Sequence, residues 1–391
     1  MDNYILIRGA RQLLTLHGPP GIRRGRAMNH LGIIEDGAVL IRNSEIAAVG
    51  PTRRLENLKE ARNAAVIPAA GRLVLPGFVD PALHLMVGGA MPSTKNRPIG
   101  RIVQDATAVL RSALQHGTTR AEIKVGGSTP AEELRFLRQT KRLDPDGDDL
   151  VRTWLVNAAS IETPETAVQA REAAFGWMRK RVKNGFIEVV ATEESAEAAQ
   201  AVATAASERN IACKLHWRGH VGQALAGMLS QRLFHAVSGL EQSEMEQTPG
   251  LAASGTMFVF TAGNHVWNRN DQACIRALVD SGGAVALASG YDPAASPVFN
   301  MQMAIAQAVL QMKLTTEEAI TAATINAAHA SGLGLKTGSL EFQKEADLLL
   351  LNLGDYRELP RQFGINHVGM VIRSGSVVFN RIGWKAMRSA S

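Results

Sequence analysis

Leu75-Pro-Gly-Phe-Val-Asp-Pro-Ala-Leu-His-Leu85 is the stretch on which the fold turns. It is short, apolar and broken by turn residues, which reads as a buried strand, and it ends on a lone histidine. Side chains alternate between the two faces of a strand, so positions 82 and 84 point the same way and present Ala82 and His84 together. Runs of the same kind follow the opening one at 73–83: they lie at 119–125, 151–159, 186–191, 212–217, 235–240, 257–262 and 284–290. Between them, segments such as 130–141, 164–183 and 195–210 carry Ala, Leu, Glu and Arg at helical spacing. Eight β–α units between residues 73 and 344 predict an α/β fold, a (β/α)8 TIM barrel whose chemistry sits at the C-terminal ends of its strands.

The chain ends follow another pattern. Residues 4–72 hold β-rich pieces at 33–35, 37–42 and 46–49 with turn residues and no long helix, and 346–351 and 371–378 repeat that style near the C-terminus. Two β segments flanking a barrel predict one small β-sandwich built from both ends, so that residues 1–72 with 345–391 form one domain and 73–344 the barrel. The last helix before it is expected over 316–330, opened by a capping box from Thr315 to Glu318.

With 391 residues, 46% of them hydrophobic, the chain can bury a large core. No apolar run approaches the roughly 18 residues of a spanning helix, and the N-terminus lacks a basic segment followed by an apolar stretch and cleavage site. A cytoplasmic protein without membrane partners is expected. Cys213 and Cys274 are too far apart for a Cys-x-x-Cys motif, which excludes a disulfide framework. The net charge of +6 raises the question of a polyanion partner. The basic residues are scattered, however, and their densest cluster, 179–183, falls at a helix end where cations complement the dipole. With 5% aromatics and no aromatic-basic stripe, no nucleic-acid partner is expected.

Several motifs then occur in order: Arg8-Gly-Ala-Arg-Gln-Leu-Leu-Thr-Leu16, Gly32-Ile-Ile-Glu-Asp-Gly-Ala38, Leu75-Pro-Gly-Phe-Val-Asp-Pro81, Gly117-Thr-Thr119 with Glu122-Ile-Lys124, and Leu215-His216. Ala286-Leu-Ala288, Asp292-Pro293, Ser296-Pro297, Ala322-Ala-Thr-Ile-Asn-Ala-Ala328, Gly338-Ser-Leu340 and Ala346-Asp347 continue the series. Over roughly residues 4–380 the chain resembles imidazolonepropionase, a metal-dependent amidohydrolase. The resemblance implies one divalent metal, held by a His-x-His pair, a histidine after strand 5 and an aspartate after strand 8. These four fall on Ala82, His84, His216 and Gly290, so two ligands are kept and two are lost. The family's glutamate after the strand-5 histidine falls on Gly219, and its Asp-His-Leu after strand 6 on Ser238-Gly239-Leu240. Its substrate-gripping arginine falls on Met91 and its loop tyrosine on Gly127.

Ligand, base and anchor are all substituted, so ordinary imidazolonepropionase activity is not expected: the proton-transfer and electrostatic contributions that usually dominate the rate are gone. Two readings stay open. In the first the chain is a pseudoenzyme without a cofactor, a small-molecule-binding or partner subunit in a homodimer or in a hetero-oligomer with an intact paralogue. In the second it is an active hydrolase of a cyclic amide C–N bond, with a rebuilt centre holding one zinc or iron. The candidate ligands and catalytic groups are His84 and His216 with His265 or Asp292; His220 follows His216 at a helical spacing that the strand does not serve. His84 and His216 could equally be polar pocket liners. Glu122 and Lys124 end strand 2 and could reach the pocket, with Lys124 a substrate contact and, less simply, a carbamylated ligand. Trp217 and Arg218 suggest a planar, anionic ligand, since tryptophan stacks flat rings and arginine takes carboxylates bidentately; alternatively Trp217 plugs the mouth.

Overall fold

Both ends of the chain feed one mixed sheet. The computed structural model describes residues 2–87, 98–144, 149–161, 163, 168–240, 247–263 and 273–385. In it β1 (Tyr4–Leu14) pairs antiparallel with β2 (Ile33–Arg42), which pairs with β3 (Glu45–Pro51). β4 (Ala65–Pro68) and β5 (Leu73–Pro76) lie parallel to β1. The apolar run expected as one strand over 73–83 is therefore two. Its first half belongs to the terminal sheet, the chain changes sheet at Gly77, and β6 (Phe78–Val87) opens the barrel.

The barrel continues through β7 (Thr118–Gly126), β8 (Leu150–Asn157), β9 (Gly185–Ala191) and β10 (Ala212–Trp217). It ends with β11 (Phe234–Ser238), β12 (Met257–Thr261) and β13 (Ala284–Ala288), eight strands paired in sequence order and all parallel. Alternation sorts each strand between two cores. On β13, Val285 and Leu287 join the layer between barrel and helices, whereas Ala284, Ala286 and Ala288 face the small-residue interior with Ala236, Val259 and Phe186. Pro81 sits where the β6–β7 register shifts, the place a sheet tolerates a residue with no N–H. Beside it the buried Asp80 carboxylate accepts N–H bonds from Ala82 (3.2 Å) and Ser289 (3.1 Å), stapling β6 to the end of β13. The seam closes with the His84 N–H donating to the Tyr291 carbonyl at 2.8 Å.

From the C-terminal end, β14 (Leu348–Leu351) inserts beside β5, followed by the hairpin β15 (Val368–Arg373) and β16 (Ser376–Asn380). The run expected at 371–378 is that hairpin, turned at Ser374-Gly375. β14 is buried on both faces: Leu348 and Leu350 pack inside the terminal domain, Leu349 and Leu351 against the barrel. Arg120, at the start of β7, joins the two units. It pairs with buried Asp347 (Nε to Oδ2, 2.6 Å), with Asp149 (3.2 Å) and with Glu345, and donates to Ser374 (2.7 Å).

The capping box of Thr315 and Glu318 is present, but the helix it opens runs only over Thr316–Ala323. Thr324, at φ −124° and ψ −95°, interrupts it, and a second helix covers Ile325–Ala330. The basic cluster forms the last turn of the helix Glu172–Arg181, as expected of a solvated helix end. Among the described residues no helix is long and apolar enough to cross a membrane.

Candidate functional site

β10 carries Lys214 and His216 into the barrel and Leu215 and Trp217 out of it, as strand alternation requires. Inside, a cavity of about 40 Å3 is lined by His84, Lys124, Glu188, Lys214, His216 and Ser238, with Ala82 at its edge. A water needs about 10–15 Å3 by such a measure, so the space holds a few waters and no substrate-sized ring.

Beneath it lies a buried quartet of charges. Glu122 accepts from Lys124 Nζ (2.6 Å), Lys214 Nζ (2.5 Å), Thr153 (2.6 Å) and Ser331 (3.1 Å). Lys124 also reaches Glu188 at 2.9 Å, and Lys214 lies over the Phe186 ring at 4.1 Å. Two ammonium groups and two carboxylates cancel in charge and satisfy one another, the condition under which buried ions are tolerated. Burial alone would raise Glu188, but Lys124 outweighs it and holds the carboxyl at about 2. Lys214 responds in the other direction: burial exceeds the pull of Glu122 and lowers it to about 8.

The two histidines stand above this quartet. Burial pushes His216 down to about 4, and burial with the nearby Lys124 also lowers His84, so both rings are neutral at physiological pH. His216 Nδ1 lies 2.9 Å from the Ser238 hydroxyl, while His84 Nδ1 is buried without a hydrogen-bond partner among the described residues.

A divalent metal does not fit these residues. Among the described residues no three His, Cys, Asp or Glu side chains gather to hold an ion, and the Lys124 ammonium bears on both imidazoles. Two positions where the resemblance calls for the family's functional side chains are crowded in their backbone. Gly290 has φ +70°, and a Cβ there would meet the Thr261 Cβ at 2.7 Å. Gly239 has φ +86°, with the Trp217 carbonyl 2.1 Å from where its Cβ would be. Neither a ligating aspartate at 290 nor the family's strand-6 histidine at 239 fits without moving a neighbour.

The other candidates divide. Lys124 is in the cavity wall. Trp217 is not: its ring is wholly buried in the core between barrel and helices, its indole donating to the His220 carbonyl at 2.9 Å, so it neither stacks on a ligand nor plugs the mouth. Arg218 is exposed beyond β10. The Asp292 carboxylate accepts the Ala294 N–H at 2.8 Å in its own turn and is not part of the cavity wall, although its charge bears on His84. His265 and Met91 lie outside the described residues. Sequence reasoning missed Glu188, Lys214 and the part played by Ser238. A signal existed for the first two, a charged residue in the middle of each otherwise apolar run at 186–191 and 212–217.

An eight-stranded parallel barrel with a composite β domain, and histidines on strands 1 and 5, defines the amidohydrolase architecture. The model of the amidohydrolase family matches residues 73–378, and the chain belongs to that family, as an imidazolonepropionase-like member. It is 32% identical to the imidazolonepropionase of Chloroflexus aggregans, covering 96% of this chain and 98% of that one, and 29% identical to that of Alkaliphilus metalliredigens over the same shares. Among solved structures it is similar to a zinc-complexed atrazine chlorohydrolase from Arthrobacter aurescens (TM-score 0.71, 18% identity, 96% and 95% of the two chains). Escherichia coli guanine deaminase also shares the fold (TM-score 0.70, 16% identity, 97% and 99%).

Proposed function

We propose that this chain is a cytoplasmic pseudoenzyme of its family, a metal-free barrel that binds a small molecule without hydrolysing it and works as a subunit in a homodimer or beside an intact paralogue. The observation that carries this reading is Gly290 in its left-handed conformation against Thr261, at the position where the resemblance calls for a ligating aspartate. Ala82 and the closed backbone at Gly239 support it, as does the small cavity above a charge-neutral quartet. Among the described residues no cluster that could hold a metal stands at the mouth, and a metal that activates water and stabilises a tetrahedral oxyanion is the main source of hydrolytic rate in such a site.

Elemental analysis of protein purified without chelator, combined with an assay on imidazolone propionate, tests the reading. Metal far below one ion per chain and no turnover are expected. Stoichiometric zinc or iron, or turnover abolished by a chelator, would overturn it in favour of a rebuilt hydrolase.

A further inference from the structure

Hydrogen bonds around Ser238 place protons that the sequence leaves unassigned. Glu188 is paired with the Lys124 ammonium at 2.9 Å, and an ionised carboxylate only accepts hydrogen bonds. The Ser238 hydroxyl, 3.2 Å from Glu188 Oε1, therefore donates its one hydrogen there. His216 Nδ1 lies 2.9 Å from the same hydroxyl oxygen. With that hydrogen already directed at Glu188, the contact is a hydrogen bond only if Nδ1 carries the imidazole proton. A neutral imidazole has a single N–H, so Nε2 is left with a bare lone pair and has no partner among the described residues.

From these bonds we infer that Ser238 and Glu188 are positioning residues that lock His216 in one tautomer, making its Nε2 the acceptor subsite for a neutral ligand with an amide, imide or azole N–H. Charge selects for neutrality: the quartet is already balanced, so a bound cation would face Lys124 and an anion would face Glu188 without a partner. Size sets the pose. The cavity admits only the donating edge of a ring, and the remainder lies towards the mouth, where His84 and His216 are both partly exposed. The inference rests on the metal-free reading, because a metal ion would take the same lone pair.

The test uses the full chain labelled with 15N-histidine, its metal content measured on the same sample. Long-range 1H–15N spectra show which ring nitrogen holds the proton, and loss of one pattern in His216→Gln assigns the residue. The wild-type chain should show His216 protonated at Nδ1 alone; Ser238→Ala should mix the tautomers, and Ser238→Thr should restore the single one. Hydantoin, a neutral ring with N–H donors, should shift Nε2, whereas 1,3-dimethylhydantoin should not, and Ser238→Ala should bind hydantoin about tenfold more weakly, the loss of one oriented hydrogen bond. If Ser238→Ala does not fold, Glu188→Gln serves: an amide can donate to the hydroxyl and release its hydrogen towards Nδ1. A proton on Nε2, a tautomer indifferent to these variants, or equal response to both hydantoins would overturn the inference. Stoichiometric metal would instead overturn the pseudoenzyme reading, so the two failures are distinct.

Discussion

One strand, β7, builds two ionic clusters at opposite ends of the barrel, and they differ in completeness. At its start Arg120 meets Asp347, Asp149, Glu345 and Ser374, joining barrel to terminal sheet. Further along, Glu122 and Lys124 form the quartet with Lys214 and Glu188, and above it stand two imidazoles, each with one ring nitrogen that has no partner among the described residues. Buried charge by itself is therefore not the mark of a site. What separates scaffold from site is the polar atom left without a partner where a cavity reaches it.

That contrast can be broken, most severely at its lower end. Arg120→Ala would strand Asp347 and Glu345 beside each other, and a loss of about 3–5 kcal/mol in denaturant unfolding is expected. A loss within experimental error would mean the lower cluster does not hold the two units together.

The seam between the ends gives a pH signature. Burial raises the Asp80 carboxyl to about 6, above an unfolded value of about 3.9. The folded state thus holds the extra proton, and Asp80 contributes stability that is full below about pH 4 and is lost as pH rises through about 6, up to about 3 kcal/mol. Asp80→Asn should remove that slope between pH 4 and 6; an unchanged slope would place its origin elsewhere.

At the upper end the expected effects are smaller in stability and sharper in chemistry. Installing the two ligands that the resemblance calls for, Ala82→His and Gly290→Asp, should not give stoichiometric metal, and Gly290→Asp alone should cost about 1–3 kcal/mol from its φ of +70° and the crowding by Thr261. Tight zinc binding by the double variant would show that the backbone yields easily. Smallest of all, Trp217→Phe should lose about 1 kcal/mol, the net worth of its bond to the His220 carbonyl, and leave hydantoin binding untouched. Impaired binding would return Trp217 to the pocket.

The architecture was legible because barrel strands, helices and terminal β pieces each write a local period. Two boundaries were not. The change of sheet falls at Pro76-Gly77, a turn pair that reads as part of one strand because β5 and β6 are buried on either side of it, and the break at Thr324 lies inside an apolar helical pattern. At the site, His84, His216 and Lys124 could be found because each lies in the C-terminal half of its strand, on the side where barrel chemistry is expected. Glu188 and Lys214 lie deeper, where the meaning of a charge depends on what faces it across the barrel, and no local pattern states that. The outward turn of Trp217 follows from alternation with His216, one residue away, whatever its ring could stack on.

β14 fills the place beside β5, and Asp347, next to it in sequence, is the buried partner of Arg120. During synthesis the ribosome delivers all eight barrel strands before residues 347–351 appear, so for most of its time at the exit tunnel the nascent chain carries an Arg120 that still lacks its buried partner Asp347 and an open edge on β5. The terminal sheet is thus completed last although its first strands are made first, and such long-range pairing is slow and leaves edges exposed to other chains. A copy that loses its final strands forfeits the closure of its earliest ones.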